Sequence, residues 1–258
     1  MASKPTLILV HGAWHGPDCW NLHVTPLLES RGYKTLVPTL PFCHTESPQS
    51  SIKPDIDLVA NLIESEVSKG RDVLVVNHSL GGYVGCSAVK GFTRKDPSRL
   101  QDGWGKVIGI IQIVSFLPET GKALMDVSPI RFHLSHPNGW ATIPHEVARK
   151  NFYNDLPQEE QDEWLDKMTL QSDATLEGPG GRQGVYAGWM DVPVWFLVCT
   201  LDQGVPKEVQ EGMIAAARER GADFTAGEVQ ASHSPFLSKP RETVAFIVKA
   251  AEALAGSG

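Results

Sequence analysis

Five short runs of apolar, largely β-branched residues constrain this chain more than any other feature: TLILV (6–10), KTLVP (34–38), DVLVV (72–76), VIGIIQIVSF (107–116) and VPVWFLVC (192–199). They do not alternate apolar with polar positions, so each predicts a strand covered on both faces, as in a parallel sheet. FTAGEV (224–229) is a sixth, less apolar run. Parallel neighbours need crossovers, and helical patterns fill the gaps between the runs. In DIDLVANLIESEVSKG, Ile56, Val59, Leu62, Ile63 and Val67 recur at helical spacing, and Gly70 provides the stop. Leu80 to Phe92 reads as a second helix, KEVQEGMIAAARERG is opened by Pro206 and closed by Gly221, and a last helix begins near Pro240. Strands and helices in alternation predict an α/β fold with a doubly wound, mostly parallel sheet of about six strands and right-handed crossovers.

The alternation breaks once. From about Leu117 to Gly188 no convincing strand appears, and the segment carries prolines, the aromatics Phe132, Trp140, Phe152, Tyr153 and Trp164, and an acidic amphipathic helix around Gln158 to Met168. GPGGRQG (178–184) then returns the chain to the sheet. So long a helical insertion between two strands is expected to be a cap or lid on a single domain spanning residues 1–258.

In a doubly wound sheet, ligands bind beyond the carboxyl ends of the strands. Three polar residues fall there: Ser79 in VLVVNHSLGG, Asp202 in LDQGVP and His233 in SHSPFLSKP. Taken singly, each has a plain structural reading as a helix cap, a turn residue or a hydrogen-bonded core histidine. Taken together, they stand at one sheet edge in the chain order Ser, Asp, His, and nucleophilic catalysis needs all three types. A serine hydroxyl is a poor nucleophile until an imidazole takes its proton, and a carboxylate fixes that imidazole's tautomer and stabilises its cation. His11-Gly12-Ala13-Trp14 follows the first strand, where the N–H groups of Ala13 and Leu80 could converge on a developing oxyanion. Gly12, Trp14, His15 and, in the insertion, Trp140 are expected to contact substrate.

Other chemistry has weaker signals. Glu119 and Asp126 follow the fourth strand, a second place from which an acid could orient the histidine. His133, His136 and His145 have no carboxylate at ligand spacing, so no metal is expected. HGAWHG lacks both the G-x-G-x-x-G spacing and the lysine of a phosphate loop, and no cofactor is expected.

LILVHGAWHGPDCW, NHSLGG, LDQGVP and SHSPFLSKP resemble the α/β-hydrolase superfamily, in particular the branch holding plant methylesterases, hydroxynitrile lyases and related bacterial and fungal esterases. The resemblance spans nearly the whole chain. It implies Ser79 as nucleophile, His233 as base, Asp202 as orienting acid and the amides of Ala13 and Leu80 as oxyanion hole. It also implies a chain that starts at the first central strand without a preceding hairpin. Asn77 departs from the family's G-x-S-x-G turn at its first glycine. It is compact enough to fit with modest strain. The implied activity is hydrolysis of a carboxylic ester with a small apolar or aromatic substrate. The rivals are a lactonase or other secondary-metabolism hydrolase, a hydroxynitrile-type lyase, and a ligand receptor that has lost its chemistry. Lyases of this branch carry a threonine at the place matching Gly12 and a lysine directly after the histidine, where this chain has Ser234.

Composition excludes partners more than it names them. Thirty acidic residues against 23 basic ones give a net charge of −7, and no basic cluster offers itself to nucleic acid. Only four apolar residues in a row, LILV, precede His11, too few for a secretory core, and nothing approaches a membrane span. Cys19, Cys43, Cys86 and Cys199 lack C-x-x-C spacing and are expected to be reduced, mostly buried thiols of a cytoplasmic protein. The expected partner is a small-molecule ester, with neither nucleic acid nor membrane, and a homodimer stays open.

Overall fold

The computed structural model describes residues 4–128 and 136–256. Six strands, β1 (Thr6–Val10), β2 (Thr35–Leu36), β3 (Val73–His78), β4 (Val107–Ile113), β5 (Val194–Cys199) and β6 (Phe224–Val229), form one sheet in the order β2-β1-β3-β4-β5-β6. Every pairing in it is parallel. This is the α/β-hydrolase fold. Burial follows the sequence runs: β1 and β3 are buried at every residue, while β6, on the sheet edge, exposes its middle. That exposure is why FTAGEV is the least apolar run.

Helices α1 (Lys53–Val67), α2 (Gly81–Ala88), α3 (His145–Phe152), α4 (Gln158–Asp166), α5 (Lys207–Glu219) and α6 (Pro240–Ala255) complete the main elements. α1 buries Ile56, Val59, Ile63 and Val67, as their spacing predicts. α2 stops four residues before the expected Phe92, and Gly91 beyond it takes a left-handed φ of 86°.

β4 also ends early, at Ile113 instead of Phe116. Val114 adopts a φ of 41°, unusual for a β-branched residue, which turns Ser115 and Phe116 out of the strand. Between β4 and β5, the described residues include α3, α4 and a two-residue antiparallel ladder joining Trp140–Ala141 to Gln171–Ser172. A ladder so short leaves no periodic signal. Phe132 lies outside the described residues. Phe152, Tyr153 and Trp164 are buried, and Trp140 is half-buried.

The turn from β3 into α2 is held by close backbone approach. A β-carbon at Gly81 would stand 2.7 Å from the carbonyls of Val10 and His11, and one at Gly82 would stand 2.1 Å from that of Phe116. Asn77 is accommodated from the opposite side. A β-carbon at Gly85, on α2, would meet Asn77 Oδ1 at 1.8 Å. The space that a first glycine of the turn would leave is thus made by a glycine one turn into α2. Gly85→Ala is expected to destabilise the fold by about 1–3 kcal/mol through overpacking, and Asn77→Gly in the same chain to restore most of that loss. Urea unfolding of the two single variants and the double variant measures the coupling. Additive losses would show that the two sites do not share this space.

Candidate active site

Ser79 sits between β3 and α2 with φ at 50°, a left-handed conformation that a non-glycine residue holds only when its surroundings impose it. Three donors impose it here through the Ser79 carbonyl: the amides of Phe116 and Gly82 at 3.1 Å each, and Ser115 Oγ at 2.8 Å. The kink at Val114 is what brings two of them into place. The side chain is left on the cavity at the carboxyl edge of the sheet.

His233 follows β6 and Asp202 follows β5, and the structure brings them together. His233 Nδ1 donates to Asp202 Oδ2 at 2.7 Å, and both residues are buried. Asp202 Oδ1 accepts the amides of Gly204 and Val205 at 2.7 and 2.8 Å, so the carboxylate is fully engaged before α5 begins. His233 shares Ser79's cavity without a hydrogen bond to its Oγ, a separation common before substrate binds. Ala13 and Leu80 line the same cavity, and neither amide donates to another described residue.

Glu119 and Asp126 lie elsewhere. Glu119 is half-buried and faces Arg220 at 3.5 Å, while Asp126 accepts two bonds from the Arg182 guanidinium at 2.7 and 2.8 Å. His136 pairs with Asp173 at 2.7 Å, and His133 lies outside the described residues. All four cysteines are free and buried.

Of the residues expected to contact substrate, Trp14 and His15 line the cavity, whereas Gly12 and Trp140 do not. Gly12 is used for close approach: a β-carbon there would stand 2.8 Å from Ser79 Cβ and 2.9 Å from His78 Nδ1. A side chain there would push into the serine and its neighbouring histidine. Trp140 is held in the short ladder. It is its neighbour Ala141 whose carbonyl accepts the Trp14 indole N–H, at 2.8 Å.

Sequence reasoning missed a set of neutral histidines. His11 Nδ1 faces the Gly12 carbonyl at 3.0 Å and His15 Nδ1 faces that of Ala13 at 2.8 Å, so both rings carry their proton there. His11 Nε2 then accepts the Leu40 amide and His15 Nε2 accepts the Tyr153 hydroxyl at 2.9 Å. His78 donates from Nε2 to the His233 carbonyl at 2.9 Å. Burial drives the His11 pKa down to about 3 and the His15 pKa to about 4, and holds His78 well below its ordinary value. His78 precedes Ser79 in the motif itself, but nothing in its spacing told which carbonyl it would meet.

The insertion is fastened to these loops. Thr169 N donates to the Trp14 carbonyl at 2.9 Å, Asn154 Nδ2 to that of Leu201 at 3.0 Å, Ser232 N to Asp155 Oδ2 at 2.9 Å, and Ser232 Oγ to the Phe152 carbonyl at 3.0 Å. Phe152 also lies against His233, with ring centroids 5.3 Å apart. The closed cavity is narrow, about 10 Å³, room for roughly one water.

The alpha/beta hydrolase family model matches residues 7–246. An alpha/beta hydrolase of Aspergillus novofumigatus is 26% identical over 253 residues, covering 96% of this chain and 97% of the relative. Methylesterase 7 of Arabidopsis thaliana is 28% identical over 280 residues, covering 97% of each. The crystal structure of tomato methylketone synthase I complexed with 2-tridecanone superimposes with a TM-score of 0.75 at 17% identity, covering 97% of this chain and 99% of that one. No described helix is long and apolar enough to cross a membrane.

The buried histidines give stability a pH dependence of defined sign. Below pH 6.5 the unfolded chain binds protons at His11, His15 and His78 that the folded chain refuses. Asp55 opposes them: desolvation pushes its buried carboxyl up to about 7, so the folded state keeps a proton that the unfolded state releases above 3.8. Three against one leaves the unfolded state richer in protons. Unfolding free energy should fall as pH drops from 6.5 towards 4, by on the order of 2 kcal/mol per pH unit. Urea titrations at pH 7, 6 and 5 should show it, with a shallower slope in His15→Gln. A pH-independent midpoint would contradict the neutral cluster.

Proposed function

This chain belongs to the alpha/beta hydrolase family, and on that premise we propose that it hydrolyses a carboxylic ester through an acyl-enzyme formed on Ser79. The observation that carries the reading is the 2.7 Å bond from His233 Nδ1 to Asp202, made in the cavity that holds Ser79. With its Nδ1 proton committed to the carboxylate, His233 has Nε2 as its basic nitrogen. Nε2 takes the Ser79 Oγ proton as the oxygen attacks the ester carbonyl. The charge that develops on the acyl oxygen faces the amides of Ala13 and Leu80. His233 then gives its proton to the departing alcohol, and a water activated by the same nitrogen frees the acid. No step draws on a metal or a cofactor. The insertion acts as a lid that keeps bulk water from the acyl-enzyme, and the plant methylesterase relatives support the ester as substrate class.

A cyanohydrin lyase is disfavoured by charge. Departing cyanide needs a cationic partner in an apolar cavity, and among the described residues no lysine or arginine lines this one. Gly12, packed against Ser79, also leaves no place for a threonine hydroxyl.

A fluorophosphonate probe should label Ser79, and Ser79→Ala should abolish hydrolysis of activated and methyl esters while the protein stays folded. Asp202→Asn should lower kcat by on the order of 10⁴-fold, by analogy with the protease triad, with Glu119→Gln and Asp126→Asn costing far less. Mandelonitrile should not be cleaved above background. Labelling at another serine, or Ser79-dependent cyanide release with every ester untouched, would overturn the assignment.

A further inference from the structure

A second cavity adjoins the Ser79 chamber. It is a solvent-open groove of about 430 Å³ between α5, where it is lined by Val209, Gly212, Met213 and Ala216, and the residues from Phe116 to Ser128, with Trp189 and Tyr83 also lining it and Gly212 and Ala216 exposed. Its volume is within the range of small-molecule sites, and its lining is mainly apolar. Phe116 and Leu124 line both spaces and form the partition between them. Both are buried, at 4% and 3% exposure, and Phe116 is anchored to the Ser79 carbonyl through its own amide at 3.1 Å. Tyr83 stands one helical turn beyond Ser79, so the wall of the second cavity begins where the nucleophile's helix begins.

The two cavities differ in size in a way that assigns their occupants. The Ser79 chamber, about 10 Å³ when closed, contains His233 and therefore must receive the departing alcohol, which takes its proton from that ring. Little room remains there for anything but a small alcohol. The part of the substrate that points away from His233 is the acyl group, and the adjoining space across Phe116 and Leu124 is apolar. We propose that this second cavity is the acyl-chain site of the enzyme, reached by rotation of the Phe116 and Leu124 side chains, and that the substrate is a small-alcohol ester of an acid with an extended apolar chain. The proposal rests on the ester-hydrolase reading above. Arg220 and Glu119, paired at 3.5 Å, line the same groove, so a chain long enough to reach them meets a polar boundary.

Gly212 offers a direct test, because a β-carbon added there has nothing within 4 Å and the change to leucine favours the helix. With methyl esters from acetate to decanoate, kcat/KM should rise with each methylene until the cavity is full, by up to about fourfold per methylene buried. Gly212→Leu fills the cavity and should lower the octanoate-to-acetate ratio by about tenfold or more. Glu208→Leu, on an exposed position of the same helix outside the cavity, should leave that ratio as it is. Leu124→Ala thins the partition and should raise it. A chain-length profile that is flat, or that Gly212→Leu does not change, would overturn the acyl site and leave the hydrolase reading standing. A Gly212→Leu effect confined to the alcohol series, from methyl to octyl acetate, would overturn it equally. Absence of Ser79-dependent hydrolysis at every length would overturn the functional reading and this one with it.

Discussion

The structure depends on how closely three backbones approach around one serine. The loop after β1, the end of β4 and the start of α2 meet at Ser79, where side chains at Gly12, Gly81 or Gly82 would force the segments apart. A left-handed residue of this kind costs of the order of 1–3 kcal/mol, and the surroundings must over-determine it. Three hydrogen bonds on the Ser79 carbonyl do so. Two of them come from residues that left their own strand at Val114, another left-handed position. The strain at one turn is therefore stabilised by strain at the next, and the sheet beneath both supplies the rigidity.

Charge is managed around this turn by keeping imidazoles neutral. His11, His15 and His78 each spend a ring N–H on a backbone carbonyl: those of Gly12, Ala13 and His233. The His11 bond fixes the peptide whose other end is the Ala13 amide, so a buried ring aims a main-chain donor. Had these rings been cationic, they would have opposed any positive charge forming on His233, whose ring centroid lies 4.8 Å from that of His78. Desolvation removes that conflict without any carboxylate to neutralise them.

The sheet was legible because a strand buried on both faces must be apolar throughout, and β1 and β3 are. Boundaries were less so. Nothing in VIGIIQIVSF marks Val114 as a kink, because the constraint that kinks it, the Ser79 carbonyl, is remote in sequence. α3 was missed for a related reason: it buries only Ala148 and Phe152, too few positions for a periodic pattern. The meeting of Asp202 and His233 could be anticipated because parallel topology delivers the ends of β5 and β6 to one edge. The exchange between Asn77 and Gly85 could not, since each residue alone looks like an irregularity. Gly12 and Trp140 were expected at the cavity by residue type, and neither lines it: one packs against Ser79 and the other sits in the short ladder.

The bonds that fasten the insertion run to Trp14, Leu201 and Ser232, on the loops that follow β1, β5 and β6, and to Phe42, Gln49 and Ile52 after β2, more than to the sheet itself. The insertion is consequently not an interchangeable part. Transplanting another hydrolase's insertion on to this sheet, to borrow its selectivity, would strand the indole of Trp14 and the amide of Ser232 without acceptors. It would also loosen the loops that carry Asp202 and His233. The natural unit of exchange is larger: the insertion together with the four loops it grips, with the sheet serving only as the common floor.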